Sequence, residues 1–454
     1  MLNSPIPTLI QYFSLRAVNR NPYFKNTWPL LLLTILFWGC SSVKQLAVER
    51  DVTRLLNQSE VFSSQFTGFS LFDIEANQFV TAHNSTLKFT PASNTKLLTL
   101  YATLKSFRDS IPSFAYQKKD SSLLVAPLGD PSFLYKPFRR QPALVLLQSA
   151  KNIQISWPAN DPEPFGSGWA WDDYIYNFQT QRSWWPIYGN TVSIQKVDDS
   201  LTVTPSFFED YVEVLEQTRP GELVDRELKF NVFKAYLESD TSDFERIIPF
   251  EYSRELLLEL LQDTLEAEVS FDGSSLIKPD TLYSQHVDTL LAYMLKPSDN
   301  FLSEQLLLMA ARQNGFEDVE SFIDHIRITW LTGLTDMVWV DGSGLSRYNL
   351  IAPVDQVRLL KQCHDEFGWE RMTALLPTGG EGTLEDLYLT DEDESPYIFA
   401  KTGTLSNNHS LSGYLITRSG KRMIFSFMNN HYTRPTEEVK RAMEQFLLSV
   451  RNAY

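Results

Sequence analysis

Apolar and polar positions alternate with a period of two near both ends of the chain. Gly68-Phe69-Ser70-Leu71-Phe72-Asp73-Ile74 and Gln78-Phe79-Val80 read as two strands joined by a turn at Glu75-Ala76-Asn77. Tyr397-Ile398-Phe399-Ala400 reads as a third strand, and residues 411–417 and 422–428 as a hairpin around Arg418-Ser419-Gly420-Lys421. Elsewhere the period lengthens to that of a helix. Leu97, Leu100, Tyr101 and Leu104 stripe a helix that opens at Ser93. Phe301, Leu302, Gln305, Leu306 and Met309 stripe a second, preceded by Pro297-Ser298-Asp299, and Val43, Leu46, Ala47, Val52, Leu55 and Leu56 fit helical spacing within 41–57. Val439, Ala442, Met443, Phe446, Leu447 and Val450 share one face of a final helix starting near Pro435. Strands near the start, strands and a helix at the end, and a helical middle predict an α/β sheet built from both chain ends.

The segment from about 117 to 280 has a different texture. Leu123-Leu124-Val125, Leu144-Val145-Leu146, Thr191-Val192-Ser193-Ile194 and Leu201-Thr202-Val203 are short strand-like runs between turns, so it reads as an inserted, mostly β region. The predicted organisation is a leader over 1–40, a first part of the main domain over 41–116, the insertion over 117–280, and the second part of the main domain over 281–454. At 454 residues the chain has room for two or three domains. Its many aromatics (30 Phe, 19 Tyr, 10 Trp) read mainly as core.

The formal net charge of −16 argues against a nucleic-acid-binding role, which needs a basic footprint. Asp391-Glu392-Asp393-Glu394 reads as a solvated loop. The first 40 residues carry Arg16, Arg20 and Lys25 and no acids, and end in the apolar run from Trp28 to Gly39, just before Cys40. That run is short for a bilayer span and reads as a signal-peptide core, with Gly39-Cys40-Ser41-Ser42 similar to a bacterial lipoprotein cleavage box. An uncleaved anchor is the rival reading. With Cys40 acylated, Cys363 has no intrachain partner for a disulfide. His286, His364, His409 and His431 show no paired-ligand spacing, so a zinc peptidase is unsupported and no metal is expected. There is no G-x-S-x-G elbow.

Three short motifs carry the candidate chemistry: Ser93-Asn94-Thr95-Lys96, Ser298-Asp299-Asn300 and Lys401-Thr402-Gly403. Acyl transfer needs an activated hydroxyl, an adjacent base, and donors for the developing oxyanion. Ser93 and Lys96 stand three apart on a helix, so their side chains share a face. A lysine serves as a base when burial or a neighbouring cation lowers its pKa, and Lys401 is expected to supply that cation across a cleft. Singly, each motif has an ordinary reading: Ser93 and Ser298 as helix caps, and Lys401-Thr402-Gly403 as a strand end turning at glycine. Jointly and in this order they are the S-x-x-K, S-D-N and K-T-G set shared by active-site serine penicillin-binding proteins and class A β-lactamases.

The flanking residues sharpen the resemblance. Pro91-Ala92 before Ser93, Leu128-Gly129-Asp130-Pro131, Gly168-Trp169-Ala170-Trp171-Asp172-Asp173, Glu304-Gln305-Leu306-Leu307, Asp341-Gly342-Ser343-Gly344-Leu345-Ser346-Arg347, Thr404-Leu405 after the third motif, and Leu411-Ser412-Gly413-Tyr414 are similar to the D-alanyl-D-alanine carboxypeptidase/endopeptidase family, the class C low-molecular-mass penicillin-binding proteins. The similarity covers most of the chain from about 60 to 430. It implies an α/β (α+β) fold, a β-lactamase/transpeptidase-like three-layer α-β-α sandwich with the insertion after the first motif helix. It implies hydrolysis of the terminal D-Ala-D-Ala bond of peptidoglycan stem peptides, often with cleavage of cross-links, in the cell envelope or periplasm, with no cofactor. Carried over by motif, Ser93 is the nucleophile, Lys96 its general base, and Ser298 the relay to the leaving amine with Lys401 in the same network. Asn300 would hold a substrate amide, Thr402 and Thr404 would face its carboxylate and backbone, and the N–H groups of Ser93 and Thr404, beside Gly403, would form the oxyanion hole. β-Lactams are expected to acylate Ser93. A β-lactamase and a non-catalytic peptidoglycan-binding lipoprotein are the alternatives; the first would need a deacylation base, and no E-x-x-L-N-like segment is found.

Overall fold

The computed structural model describes residues 52–119, 122–198, 200–217, 223–238, 241–334, 336–391 and 393–454. The leader, Cys40 and the beginning of the 41–57 helix expected from the sequence lie outside them; residues 52–58 are helical.

Both chain ends build one five-stranded antiparallel sheet. Its order is Ile398–Leu405, Asn408–Ile416, Arg422–Asn430, Phe66–Asp73 and Gln78–His83. The register sets Phe69 opposite Phe427 and Leu71 opposite Phe425. On one face Phe69 and Phe427 close on Phe446 of the helix Thr436–Ala453, each ring centroid 5.0 Å from that of Phe446. Aromatic pairs of this kind contribute about 0.5–1.5 kcal/mol each beyond simple burial. On the other face Tyr414 donates its hydroxyl to the Leu360 carbonyl of the helix Pro353–Phe367 at 2.8 Å. Helix, sheet and helices make the three layers expected of the fold class.

The helix Lys96–Ser106 lies inside this arrangement, against the helices Val287–Leu295, Asn300–Gln313 and Pro353–Phe367. Every residue from Lys96 to Leu104 is buried, so the apolar stripe read from the sequence understates how enclosed this helix is. Polar positions on it are satisfied locally: Thr99 donates to the Gly342 carbonyl at 2.7 Å and Thr103 to the Thr99 carbonyl at 2.8 Å.

Strands between residues 110 and 286 make three further sheets. The largest runs Glu268–Phe271, Asn152–Ile155, Ser122–Pro127, Ser110–Lys119 and Asp280–His286, its first three strands parallel. Two three-stranded sheets pack nearby, one of Phe244–Pro249, Thr191–Val197 and Ser200–Thr204, the other of Val212–Leu215, Phe233–Tyr236 and Val224–Arg226. Their common core holds Phe114, Phe133, Trp185, Phe208 and Phe250. The run at 144–146 is not a strand. It belongs to a short helix, Pro142–Leu147, with Pro142 in its first turn. Ala143 and Leu147, four apart, are buried while Val145 is 69% exposed. An apolar run this short carries too little periodicity to separate the two outcomes. Glu394, read as part of a solvated loop, instead pairs with Arg451 at 2.6 Å and with Arg418.

Cys363 is buried and unpaired, and burial pushes its thiol well above the ordinary range. Among the described residues, no helix is long and apolar enough to cross a membrane.

Candidate active site

The first motif spans a change of helix type. Ala92–Thr95 form a 3₁₀ turn that leads straight into the α-helix beginning at Lys96. Ser93 is half-buried while Ala92, Asn94, Thr95 and Lys96 are buried, so the serine is the one residue of the motif open to the cleft. Lys96 Nζ donates to Ser93 Oγ at 2.9 Å, to Asn300 Oδ1 at 2.6 Å and to the Ser343 carbonyl at 2.8 Å. The first and second motifs and the D-G-S-G-L-S-R loop thus meet on one ammonium group.

Burial lowers the Lys96 pKa to about 8, against opposing pulls from Glu304, Asp299 and Asp341, which favour its charged form. Lys401 is fully enclosed, its Nζ donating to the Thr402 carbonyl at 2.8 Å, and burial followed by repulsion from Lys96 drives its pKa well below the ordinary value. Burial is thus the leading cause of the lowered pKa at both amines, and the two repel one another.

A base at about 8 has a kinetic signature. At pH 7 about a tenth of Lys96 is neutral, so acylation by penicillin is expected to rise about tenfold per pH unit from pH 6 and level off above about 8. Stopped-flow acylation with a fluorescent penicillin between pH 5.5 and 9.5 measures this. A flat profile down to pH 6 would remove Lys96 from the role.

In the second motif Asp299, not Ser298, caps the helix. Its Oδ1 accepts from the Leu302 N–H at 2.8 Å and its Oδ2 from the Tyr135 hydroxyl at 2.6 Å. Ser298 stands outside the helix with φ +69°, lining a cavity of about 340 Å³ with Tyr135, Asn177 and Phe178. Among the described residues its hydroxyl makes no hydrogen bond. Asn300 bridges: besides receiving Lys96, it donates Nδ2 to the Phe178 carbonyl at 2.9 Å. Ser93 and Asn300 line a separate cavity of about 640 Å³, together with Thr404, Asp172, Asp173 and Arg347. Phe178 borders both cavities.

The third motif is an internal stretch of the strand Ile398–Leu405. Asn94 holds this strand against the first motif by donating Nδ2 to the Lys401 carbonyl at 2.9 Å. Gly403 permits the approach: a Cβ there would lie 2.4 Å from the Pro91 oxygen and 2.9 Å from the Ser93 nitrogen. Thr402 is buried and donates to the Thr383 hydroxyl at 2.7 Å. Thr404 is exposed to that cavity and shares a 2.8 Å hydrogen bond with His409 Nδ1. Burial, then repulsion from Lys440 and Lys401, lowers the His409 pKa to about 3, so the ring is neutral there.

Several residues of this site entered the sequence reading only as part of the family stretches, with no role assigned to them. Asp341 braces the loop that supplies the Ser343 carbonyl, accepting from the N–H groups of Gly344 (2.8 Å) and Ser346 (2.7 Å), from Asn349 Nδ2 (2.7 Å) and from Trp169 Nε1 (2.9 Å). Gly344 in that loop has φ +82°, and a Cβ there would fall 1.9 Å from the Ala92 oxygen. Gly344→Ala therefore meets both a left-handed-backbone cost of about 1–2 kcal/mol and a collision with the turn bearing Ser93. It is expected to lower the acylation rate about a hundredfold by displacing the groups that position Ser93 and Lys96. Labelled-penicillin kinetics on protein shown to be folded by its melting curve checks this; an unchanged rate would mean the loop tolerates the shift.

Fold and site together define a penicillin-recognising protein of the active-site serine type. The chain belongs to the D-Ala-D-Ala carboxypeptidase 3 (S13) family, whose model matches residues 48–219 and 251–450. The fold is shared with penicillin binding protein 4 (dacB) of Haemophilus influenzae, at a TM-score of 0.66 and 20% identity over 88% of this chain and 98% of that one. In sequence the chain is similar to the D-alanyl-D-alanine carboxypeptidase DacB of Haemophilus influenzae, 26% identical over 43% of this chain and 44% of the relative. It is also similar to a D-alanyl-D-alanine carboxypeptidase of Actinomadura sp. (strain R39), 23% identical over 90% of this chain and 86% of the relative. Two mycobacterial carboxypeptidases are matched over 32% and 33% of their lengths, so this chain spans less than half of three of the curated relatives it matches.

Proposed function

We propose that this chain is a serine-type D-Ala-D-Ala carboxypeptidase that cleaves peptidoglycan stem peptides through an acyl-enzyme on Ser93, and that it also opens cross-links. The supporting observation is the Lys96 amine 2.9 Å from Ser93 Oγ with its two other hydrogen bonds taken by Asn300 and Ser343. When Lys96 is neutral, those two acceptors hold its two N–H bonds and leave the lone pair aimed at the serine hydroxyl. Lys96 takes the proton as Ser93 Oγ attacks the carbonyl carbon of the penultimate D-alanine. The N–H groups of Ser93 and Thr404 receive the oxyanion, and the close passage of Gly403 brings the strand near enough for both to serve. The proton returns to the departing amine through Ser298, whose hydroxyl lines the neighbouring cavity and must turn toward Ser93 to serve. Water then releases the acyl group, with Lys96 again the base. Asn300, Thr402, Thr404 and Lys401 form the substrate-facing and electrostatic surroundings, and no metal or cofactor takes part.

β-Lactams, as mimics of the D-Ala-D-Ala unit, acylate the same oxygen; the Haemophilus penicillin binding protein 4 has been solved in complex with a β-lactam. The N-terminal leader, with Cys40 as the lipidated residue, places the enzyme in the periplasm on a membrane surface. The test is to incubate the protein with benzylpenicillin, locate the adduct by peptide mass mapping, and measure D-alanine released from a pentapeptide alongside dimers split. A stable adduct on Ser93 with D-alanine release is expected. Rapid penicillin turnover would assign the site to a β-lactamase, and bound muropeptide without any release would leave a binding protein.

A further inference from the structure

Behind the catalytic lysine lies a buried ion pair that the mechanism above does not use. Arg182 donates Nε (3.0 Å) and Nη2 (2.7 Å) to Glu304 Oε2, and their side chains are 6% and 2% exposed. The other oxygen, Glu304 Oε1, accepts from the Ser343 N–H at 2.7 Å, and the carbonyl of that same residue receives Lys96 Nζ. Glu304 sits four residues after Asn300 on one helix, so one helical face presents two groups that reach Lys96, one directly and one through Ser343. Arg182 comes from the segment between the first two motifs. Its guanidinium also lies over the Trp169 ring, 5.4 Å from the centroid, and Trp169 Nε1 donates to Asp341, the brace of the same loop.

A buried ion pair is a poor route to stability, since desolvation offsets most of the attraction. One whose free oxygen is spent on the backbone of a residue touching the catalytic base has another use.

We propose that Glu304, held in place by Arg182, is a positioning residue for catalysis: it fixes the Ser343 carbonyl on Lys96 and so keeps the amine aimed at Ser93, tying the base to the segment between the first two motifs. This rests on the acyl-enzyme reading given above. The charged and titratable groups around Lys96 are Glu304 with Arg182, Asp341, Asp299 with Tyr135, and Lys401. Of the acids, Glu304 contributes the largest pull toward the charged amine. Removing its charge therefore favours the neutral base.

The test is the pH profile of acylation by fluorescent penicillin in the full-length protein, with melting curves run in parallel. Glu304→Gln retains an acceptor for the Ser343 N–H but loses the charge, and its midpoint is expected to fall by about one pH unit. Glu304→Ala also loses the acceptor, and its plateau rate should drop about tenfold or more. The double variant Arg182→Met, Glu304→Gln removes both charges; it is the form most able to fold, and its midpoint should return to within about half a unit of the parent. Single variants that melt earlier yet acylate, per folded molecule, with the parent's midpoint and plateau would overturn the proposal. A parent protein that forms no adduct would instead overturn the acyl-enzyme reading and this inference with it.

Discussion

Ser93→Ala is expected to abolish the covalent penicillin adduct and to lower D-alanine release by about six orders of magnitude, the scale seen when a catalytic nucleophile is deleted. The fold should survive. The side chain lost is small and half-buried, and Lys96 keeps its bonds to Asn300 and the Ser343 carbonyl. The change in stability should stay within about 1 kcal/mol, the net value of one hydrogen bond. The cavity that Ser93 lines loses one hydroxyl but keeps Asn300, Thr404, Asp172, Asp173 and Arg347, so reversible binding of a stem peptide should persist. Intact-mass spectrometry after penicillin treatment and calorimetric titration with a pentapeptide separate the two properties. An adduct of undiminished yield in this variant would move the nucleophile elsewhere.

Lys96→Met removes the base, and acylation is expected to fall by about 10³–10⁴, the upper range for general-base catalysis. Its stability should depend on pH in a definite direction. The folded-state pKa of about 8 lies below the unfolded value of 10.5, so between these limits the unfolded chain binds more protons than the folded one. Keeping Lys96 charged in the interior costs about 3 kcal/mol below pH 8, and the cost disappears as pH rises towards 10.5. Methionine carries no such cost at any pH, but leaves Asn300 Oδ1 and the Ser343 oxygen without their donor, at about 1–3 kcal/mol each. Near neutrality the two effects nearly cancel. At pH 10 the parent should be the more stable by about 2 kcal/mol more than at pH 7.5. Urea unfolding of both proteins at the two pH values reads the difference, in which other titrations largely drop out. An equal gap at both values would show that Lys96 is not desolvated in the folded state.

The parts of the site that the sequence made legible are those whose geometry is local. Three residues on a helical turn bring Ser93 and Lys96 together whatever surrounds them, and the paired strands at 66–83 and 408–430 follow from alternation and turn chemistry. Burial was much less accessible. The sequence offers Lys401 as a cation, but whether a lysine keeps its charge depends on water excluded by segments hundreds of residues away. Arg182, Glu304, Trp169 and Asp341 come from three separated stretches, and only the folded chain puts them behind the base. Glu304 did leave a trace, in the Glu304-Gln305-Leu306-Leu307 stretch that begins four residues after Asn300. The cap of that helix depended on a single backbone angle: with Ser298 turned to positive φ, the capping position fell to the next residue, which also has the stronger acceptor. Of the aromatics read mainly as core, Trp185 packs among the sheets of the insertion and Trp184 lies beneath Arg312.

The position of the strand Phe66–Asp73 carries a consequence for synthesis. One of its two neighbours, Arg422–Asn430, is made hundreds of residues later, so the nascent chain holds Ser93 long before it holds the sheet that frames the site. Until residue 430 has been made, the serine is an ordinary alcohol on an unfinished polypeptide, unable to react with a passing peptide or antibiotic. A product truncated before that hairpin would be inert as well as incomplete.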